Sequence, residues 1–154
     1  MIELWNSVNF LDSYVGLFFM AFLAATLIPA YSEILLVSMA AAGKDPALLL
    51  LFAATGNTLG AAVNWAMGRY LLKFQDRRWF PFKKDKLGVS QRWFQKYGVW
   101  SLLMAWAPIG GDALTFIAGI MKVPFPIFLL LTGIGKTIRY ILVLGIADQF
   151  FTVF

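Results

Sequence analysis

The chain has no cysteine and no histidine. Their absence excludes disulfides, thiolate metal centres, Cys or His nucleophiles, and any triad or metal site built on imidazole. Charge is scarce too, at 14% of residues against about 25% in an ordinary soluble domain. What is present is apolar: 60% of the 154 residues are hydrophobic and 17% aromatic. A soluble fold of that composition would lack the polar surface to cover itself. The composition predicts one integral membrane domain, and the missing side chains disfavour an enzyme.

Uncharged runs of 20, 23 and 15 residues lie between Asp12 and Glu33, Asp45 and Arg69, and Lys96 and Asp112. A spanning helix needs about 20 apolar residues, so the first two are long enough and the third is short. A fourth stretch, Pro124 to Ala147, has the length but carries Lys136 and Arg139. Ile34 to Gly43 and Ala113 to Met121 are apolar runs of only 10 and 9 residues, which read as half-membrane segments. A cleaved signal peptide is not expected, because no basic residue precedes the first apolar run.

Arg69 to Lys96 holds nine of the thirteen basic residues against Asp76 and Asp85, a net +7 beside −2 for the rest. Such a loop between hydrophobic segments is expected in the cytoplasm, with both termini outside. Its aromatics (Trp79, Phe80, Phe82, Trp93, Phe94 and Tyr97) suit the headgroup layer. Val89, Trp93 and Tyr97 at helical spacing predict an interfacial amphipathic turn or two over Ser90 to Lys96. The pattern signals topology and lipid contact rather than nucleic acid. Arg69 is expected to close its helix at the cytoplasmic face.

The chain also repeats itself. Pro29-Ala30-Tyr31-Ser32-Glu33 precedes a short apolar run, a break at Lys44-Asp45-Pro46 and a long apolar helix. Pro108-Ile109-Gly110-Gly111-Asp112 precedes a short run, a break at Lys122-Val123-Pro124 and a second long helix. The offsets are 79 for Pro29/Pro108 and Glu33/Asp112, 78 for Pro46/Pro124, and 77 for Gly56/Gly133 and Gly68/Gly145. Asp45 is placed to cap the first long helix, with Pro46 in its first turn and Pro124 in the same part of the second. Gly56, Gly60, Asn64 and Gly68 share one face, and Gly133, Thr137 and Gly145 give the second helix a weaker one, which predicts close packing.

Each half reads as a re-entrant helical hairpin plus one transmembrane helix, an odd number of crossings that inverts the second half. The predicted fold is therefore an all-α inverted repeat: repeat 1 over about 10–70, a basic cytoplasmic loop over about 69–98, and repeat 2 over about 97–148. Leu11 to Ile28 is also long enough to span outright, which would put the N-terminus in the cytoplasm; the parity of the repeat favours the hairpin.

Leu27-Ile28-Pro29-Ala30-Tyr31-Ser32-Glu33, Gly56-Asn57-Thr58-Leu59-Gly60 through Gly68-Arg69-Tyr70, Trp106-Ala107-Pro108-Ile109-Gly110-Gly111-Asp112 and Gly135-Lys136-Thr137-Ile138-Arg139-Tyr140 together resemble the DedA family (VTT or SNARE-associated membrane proteins). They are most similar to its short YqaA-like branch. The resemblance implies two re-entrant hairpins in a bacterial inner membrane, crossed several times. It also implies the movement of lipids, notably undecaprenyl phosphate, or proton-coupled transport. Larger members carry arginines in the hairpin motif, whereas here Pro108 is followed by Gly110-Gly111-Asp112 and the bases sit on the last helix.

Lys136 is roughly 18 Å along a helix from Pro124, near the middle of a core about 30 Å thick. Each charge at that depth costs about 2.5 to 3.5 kcal/mol on insertion scales, so these groups must face one another, water or a ligand. Glu33 and Asp112 are read as proton-coupling groups that approach one another, and Lys136 and Arg139 as the grip on an anionic headgroup. Ser32, Asn57, Asn64 and Trp106 are read as lining the pathway. No cofactor or metal is expected. The expected partners are a membrane lipid or small anion and protons, with a homo-oligomer compatible. The alternatives are a proton-coupled exporter of cations, a scaffold held by an ion-pair network, and an aspartyl protease, for which Gly110-Gly111-Asp112 lacks its second aspartate.

Overall fold

Two prolines after helix-terminating turns, at Pro46 and Pro124, divide the apolar sequence into short and long helices. The structure, a computed structural model, describes residues 13–26, 31–70, 78, 88–107 and 111–153. They form α1 (Tyr14–Thr26), α2 (Tyr31–Ala41), α3 (Pro46–Tyr70), α4 (Gly88–Tyr97), α5 (Gly111–Ile120) and α6 (Phe125–Val153), with a 3-10 segment, Gly98–Trp106, before α5. No strand occurs among the described residues. Helices α3 and α6, of 25 and 29 residues, are long and apolar enough to cross a membrane. Over the described residues α1, α2 and α5 run for 13, 11 and 10 residues, fewer than the roughly 20 of a spanning helix. Pro29, Pro108 and most of the basic loop lie outside the described residues.

The two turns are built alike. After α2, Gly43 N–H donates to Ala40 O at 3.0 Å and Lys44 N–H to Met39 O at 3.1 Å. After α5, Lys122 N–H donates to Gly119 O at 3.1 Å and Val123 N–H to Ala118 O at 3.0 Å. Both are Schellman caps, whose left-handed position is Gly43 (φ 84°) in one and Lys122 (φ 58°) in the other. Each corresponding residue is 79 positions on. Asp45 caps α3 as expected, its Oδ1 accepting from Ala47 N–H at 2.8 Å. Pro124 instead flanks α6: its carbonyl accepts from Phe128 N–H at 3.0 Å, and the helix starts at Phe125 and runs past Ala147 to Val153.

The offset of 79 continues down the long helices. A Cβ on Gly56 would lie 2.2 Å from Phe18 O of α1, and one on Gly135 would lie 2.7 Å from Leu103 O of the 3-10 segment. Only glycine permits either approach. The expected pairing of Gly56 with Gly133 is therefore corrected. A Cβ on Gly133 would meet Thr58 at an ordinary 3.7 Å, and one on Gly145 would meet nothing within 4 Å. Helix α6 carries three glycines, and spacing alone does not show which faces another backbone. An apolar groove of about 970 Å³ between α3 and α6 follows the same register. Its lining runs from Ala47 and Pro126 at one pair to Leu59 and Ile138 at another, seven residues from each helix.

Within each half the first arm packs on its own long helix, α1 on α3 and the 3-10 segment on α6. Helix α5 packs on α3 rather than on α6, whereas α2 is shared between α1, α6 and α3. The long helices are antiparallel. Leu49 and Ala53 share a core with Tyr140, Val143 and Leu144, while Ala61 and Trp65 pack with Phe128 and Leu131. Helix α4 extends the predicted amphipathic turns, with Arg92 and Lys96 exposed and Phe94 packed inward.

Candidate functional site

Helices α2 and α5 begin beside a polar cavity, and each delivers a carboxylate there. Glu33 lies in the first turn of α2 and Asp112 in the first turn of α5, where the helix dipole favours an anion. Helix α6 supplies Lys136, Arg139 and Tyr140, which share a face at spacings of three and four. These residues, with Ser32 and with Ala24 and Asn57 from α1 and α3, line one polar cavity of about 10 Å³. That volume is at the lower limit for a single water molecule.

Both bases are engaged. Lys136 Nζ pairs with Asp112 Oδ1, and Arg139 Nε pairs with Glu33 Oε1. Arg139 Nη1 also donates to the backbone carbonyl of Trp106 at 2.8 Å. The side chain of Lys136 is 3% exposed, whereas Glu33 and Asp112 are each 26% exposed. The lysine is thus sequestered behind acids that remain partly open. A pair so placed offsets the desolvation of its charges only while both partners are present.

Of the residues read as lining a pathway, the structure places Ser32 and Asn57 at this cavity and Asn64 and Trp106 outside its lining. Asn57 Nδ2 donates to Ala21 O at 2.9 Å, which fixes α3 against α1. Asn64 lies two turns further along α3, fully buried, and Trp106 contributes its carbonyl while its side chain is exposed. Tyr140 was not among the expected site residues. Its hydroxyl and Ser32 Oγ are 3.1 Å apart. Its position one turn beyond Lys136 was the available signal, since an i, i+4 neighbour shares the lysine's face.

Lys136 and Arg139 correspond, at the offset of 79, to Asn57 and Gly60. The two halves contribute one acid each, but both bases come from the second. Chemically, the cavity sets two carboxylates against one ammonium and one guanidinium group. Among the described residues no three His, Cys, Asp or Glu cluster as metal ligands.

The model of the VTT domain matches residues 28–149. The chain is 36% identical over 138 residues to the inner membrane protein YqaA of Escherichia coli K12, covering 89% of this chain and 92% of that protein. It is 30% identical over 147 residues to an uncharacterised protein of Haemophilus influenzae, covering 90% of each. An uncharacterised membrane protein of Mycobacterium tuberculosis is 32% identical over 80 residues, 51% of this chain and 34% of that one. No solved structure matches.

Proposed function

The chain belongs to the VTT domain (DedA) family of membrane proteins, and from that premise we propose that it transports an anionic lipid across a bacterial inner membrane, coupled to protons. The observation that carries this reading is the convergence of two acids and two bases from three helices on one cavity. Intramembrane ionisable groups are costly, and they commonly mark a pathway. Arginine offers a two-pronged grip on a phosphate and lysine a point charge. With no substrate bound, Glu33 and Asp112 occupy those bases; protonation of the acids releases them. Proton and substrate then favour the same state, which is the linkage that coupling requires.

The reading includes an inverted repeat of two re-entrant hairpins, each followed by a span. It is supported by the antiparallel long helices and by the turns repeated 79 residues apart. Rocking of one half against the other would open the cavity to each side in turn. A cavity of about 10 Å³ admits no headgroup, so this state corresponds to the closed one.

The second reading is a membrane scaffold that moves nothing, and the pairing of both bases favours it. Purified protein in liposomes separates the two, with fluorescent phospholipid translocation followed with and without a pH gradient. For a transporter, Glu33→Gln keeps lipid binding but loses proton dependence, and Arg139→Ala loses binding. Folded variants that both behave like the parent identify a scaffold.

A further inference from the structure

The repeat register allows the two sides of the charged cavity to be compared position by position. Toward the C-terminal end of α3, three buried positions are polar within the apolar core of Ala61, Leu102, Phe128 and Leu131: Thr132, one turn before Lys136; Asn64, two turns beyond Asn57; and Thr115 on α5. All three are fully buried. Their counterparts 79 residues away, on the way to the opposite end, are Ala53, Val143 and Leu36. Ala53 and Leu36 belong to one apolar core, and the half-buried Val143 packs against it.

The polar side is connected. Asn64 Nδ2 donates to Ala25 O at 2.9 Å and to Thr115 Oγ1 at 3.1 Å. Thr115 Oγ1 donates in turn to the backbone carbonyl of Asp112, the residue whose carboxylate holds Lys136. Two atoms on this side have no partner among the described residues, Asn64 Oδ1 and Thr132 Oγ1. Thr55 and Thr137 satisfy their hydroxyls by donating one turn back along their own helices; Thr132 does not. Leaving a buried polar atom unsatisfied costs about 1–3 kcal/mol, and buried water is the usual remedy.

We propose that Thr132 and Asn64 bind buried water, and that this water links the Asp112–Lys136 pair to the end of the bundle from which α3 leads into the basic segment. Ala53, Val143 and Leu36 offer no polar partner at the equivalent positions of the other half, so this water approaches the pair from the side of the basic segment, the cytoplasmic one by that segment's charge. The inference deepens the proposed function, and rests on it for the use of that water as the proton's inward route.

Water-edited solid-state NMR on the full chain in lipid bilayers tests it, because magnetisation passes from water protons only to groups in contact with water. The side-chain signals of Thr132 and Asn64 are expected to build up several-fold faster than those of Ala53 and Val143. Build-up as slow as at those apolar positions would overturn the proposal. Thr132→Val removes the hydroxyl with little change of shape and is expected to slow transfer to Lys136; unchanged transfer in that folded variant would remove Thr132 from the path. The measurement reads water contact, not lipid movement. A protein that moves no lipid can still show the path, so the two proposals fail separately.

Discussion

Arg139 holds the carboxylate of Glu33 through Nε and the carbonyl of Trp106 through Nη1, so one guanidinium joins α2 to the end of the 3-10 segment. Its planar fork of donors suits it to this bridging, which a lysine could not reproduce. The contact joins the first half of the chain to the second, as do Ser32 with Tyr140 and Asn64 with Thr115.

Removing one partner of a fully buried pair costs about 3–5 kcal/mol. Arg139 and Glu33 are 18% and 26% exposed, so screening reduces the loss to roughly 1–3 kcal/mol for Glu33→Ala or Arg139→Ala. Thermal unfolding followed by tryptophan fluorescence should show each variant lowering the midpoint and the double variant losing less than the two single losses added, because the pair is removed only once. Additive losses would contradict the pairing.

The glycine register has a direct check. Gly56→Ala and Gly135→Ala each push a methyl group into a backbone carbonyl, and overpacking of that kind costs about 1–3 kcal/mol. Gly133→Ala meets only ordinary contact and Gly145→Ala open space; both should be neutral or gain up to about 1 kcal/mol of helix propensity. Unfolding midpoints in detergent rank the four variants. If Gly133→Ala proves more damaging than Gly135→Ala, the offset of 79 is wrong.

Lys122 adopts φ 58° at a helix end, a conformation in which a side chain costs about 1–2 kcal/mol and glycine little. Gly43 occupies the same position of the other turn. Lys122→Gly should therefore raise the unfolding midpoint, and Gly43→Ala should lower it.

The absence of cysteine makes topology measurable with single introduced thiols. A cysteine near Lys84 should react with an impermeant reagent only from the cytoplasmic side, and one near Ser7 only from outside. Cytoplasmic labelling near Ser7, with outside labelling near Lys84, would reverse the assignment.

Composition and spacing were enough for the helical membrane class, the family blocks, the two long helices and the cap at Asp45. These depend on local periodicity and on the cost of placing charge in an apolar medium, both of which are written along the chain. Glu33, Asp112, Lys136 and Arg139 were legible for the same reason, since charges so deep must meet one another.

The pairing was not legible. By spacing alone either base could have met either acid; the packed bundle pairs Lys136 with Asp112 and Arg139 with Glu33. Nor could the letters say that Gly135 rather than Gly133 answers Gly56, or that Tyr140 joins the cavity and Asn64 stands apart from it. Periodicity assigns a residue to a face of its own helix, but the tertiary structure decides which helix that face meets. That choice depends on how closely two backbones approach, and so only the packed bundle could separate the glycines that touch a carbonyl from those that face open space.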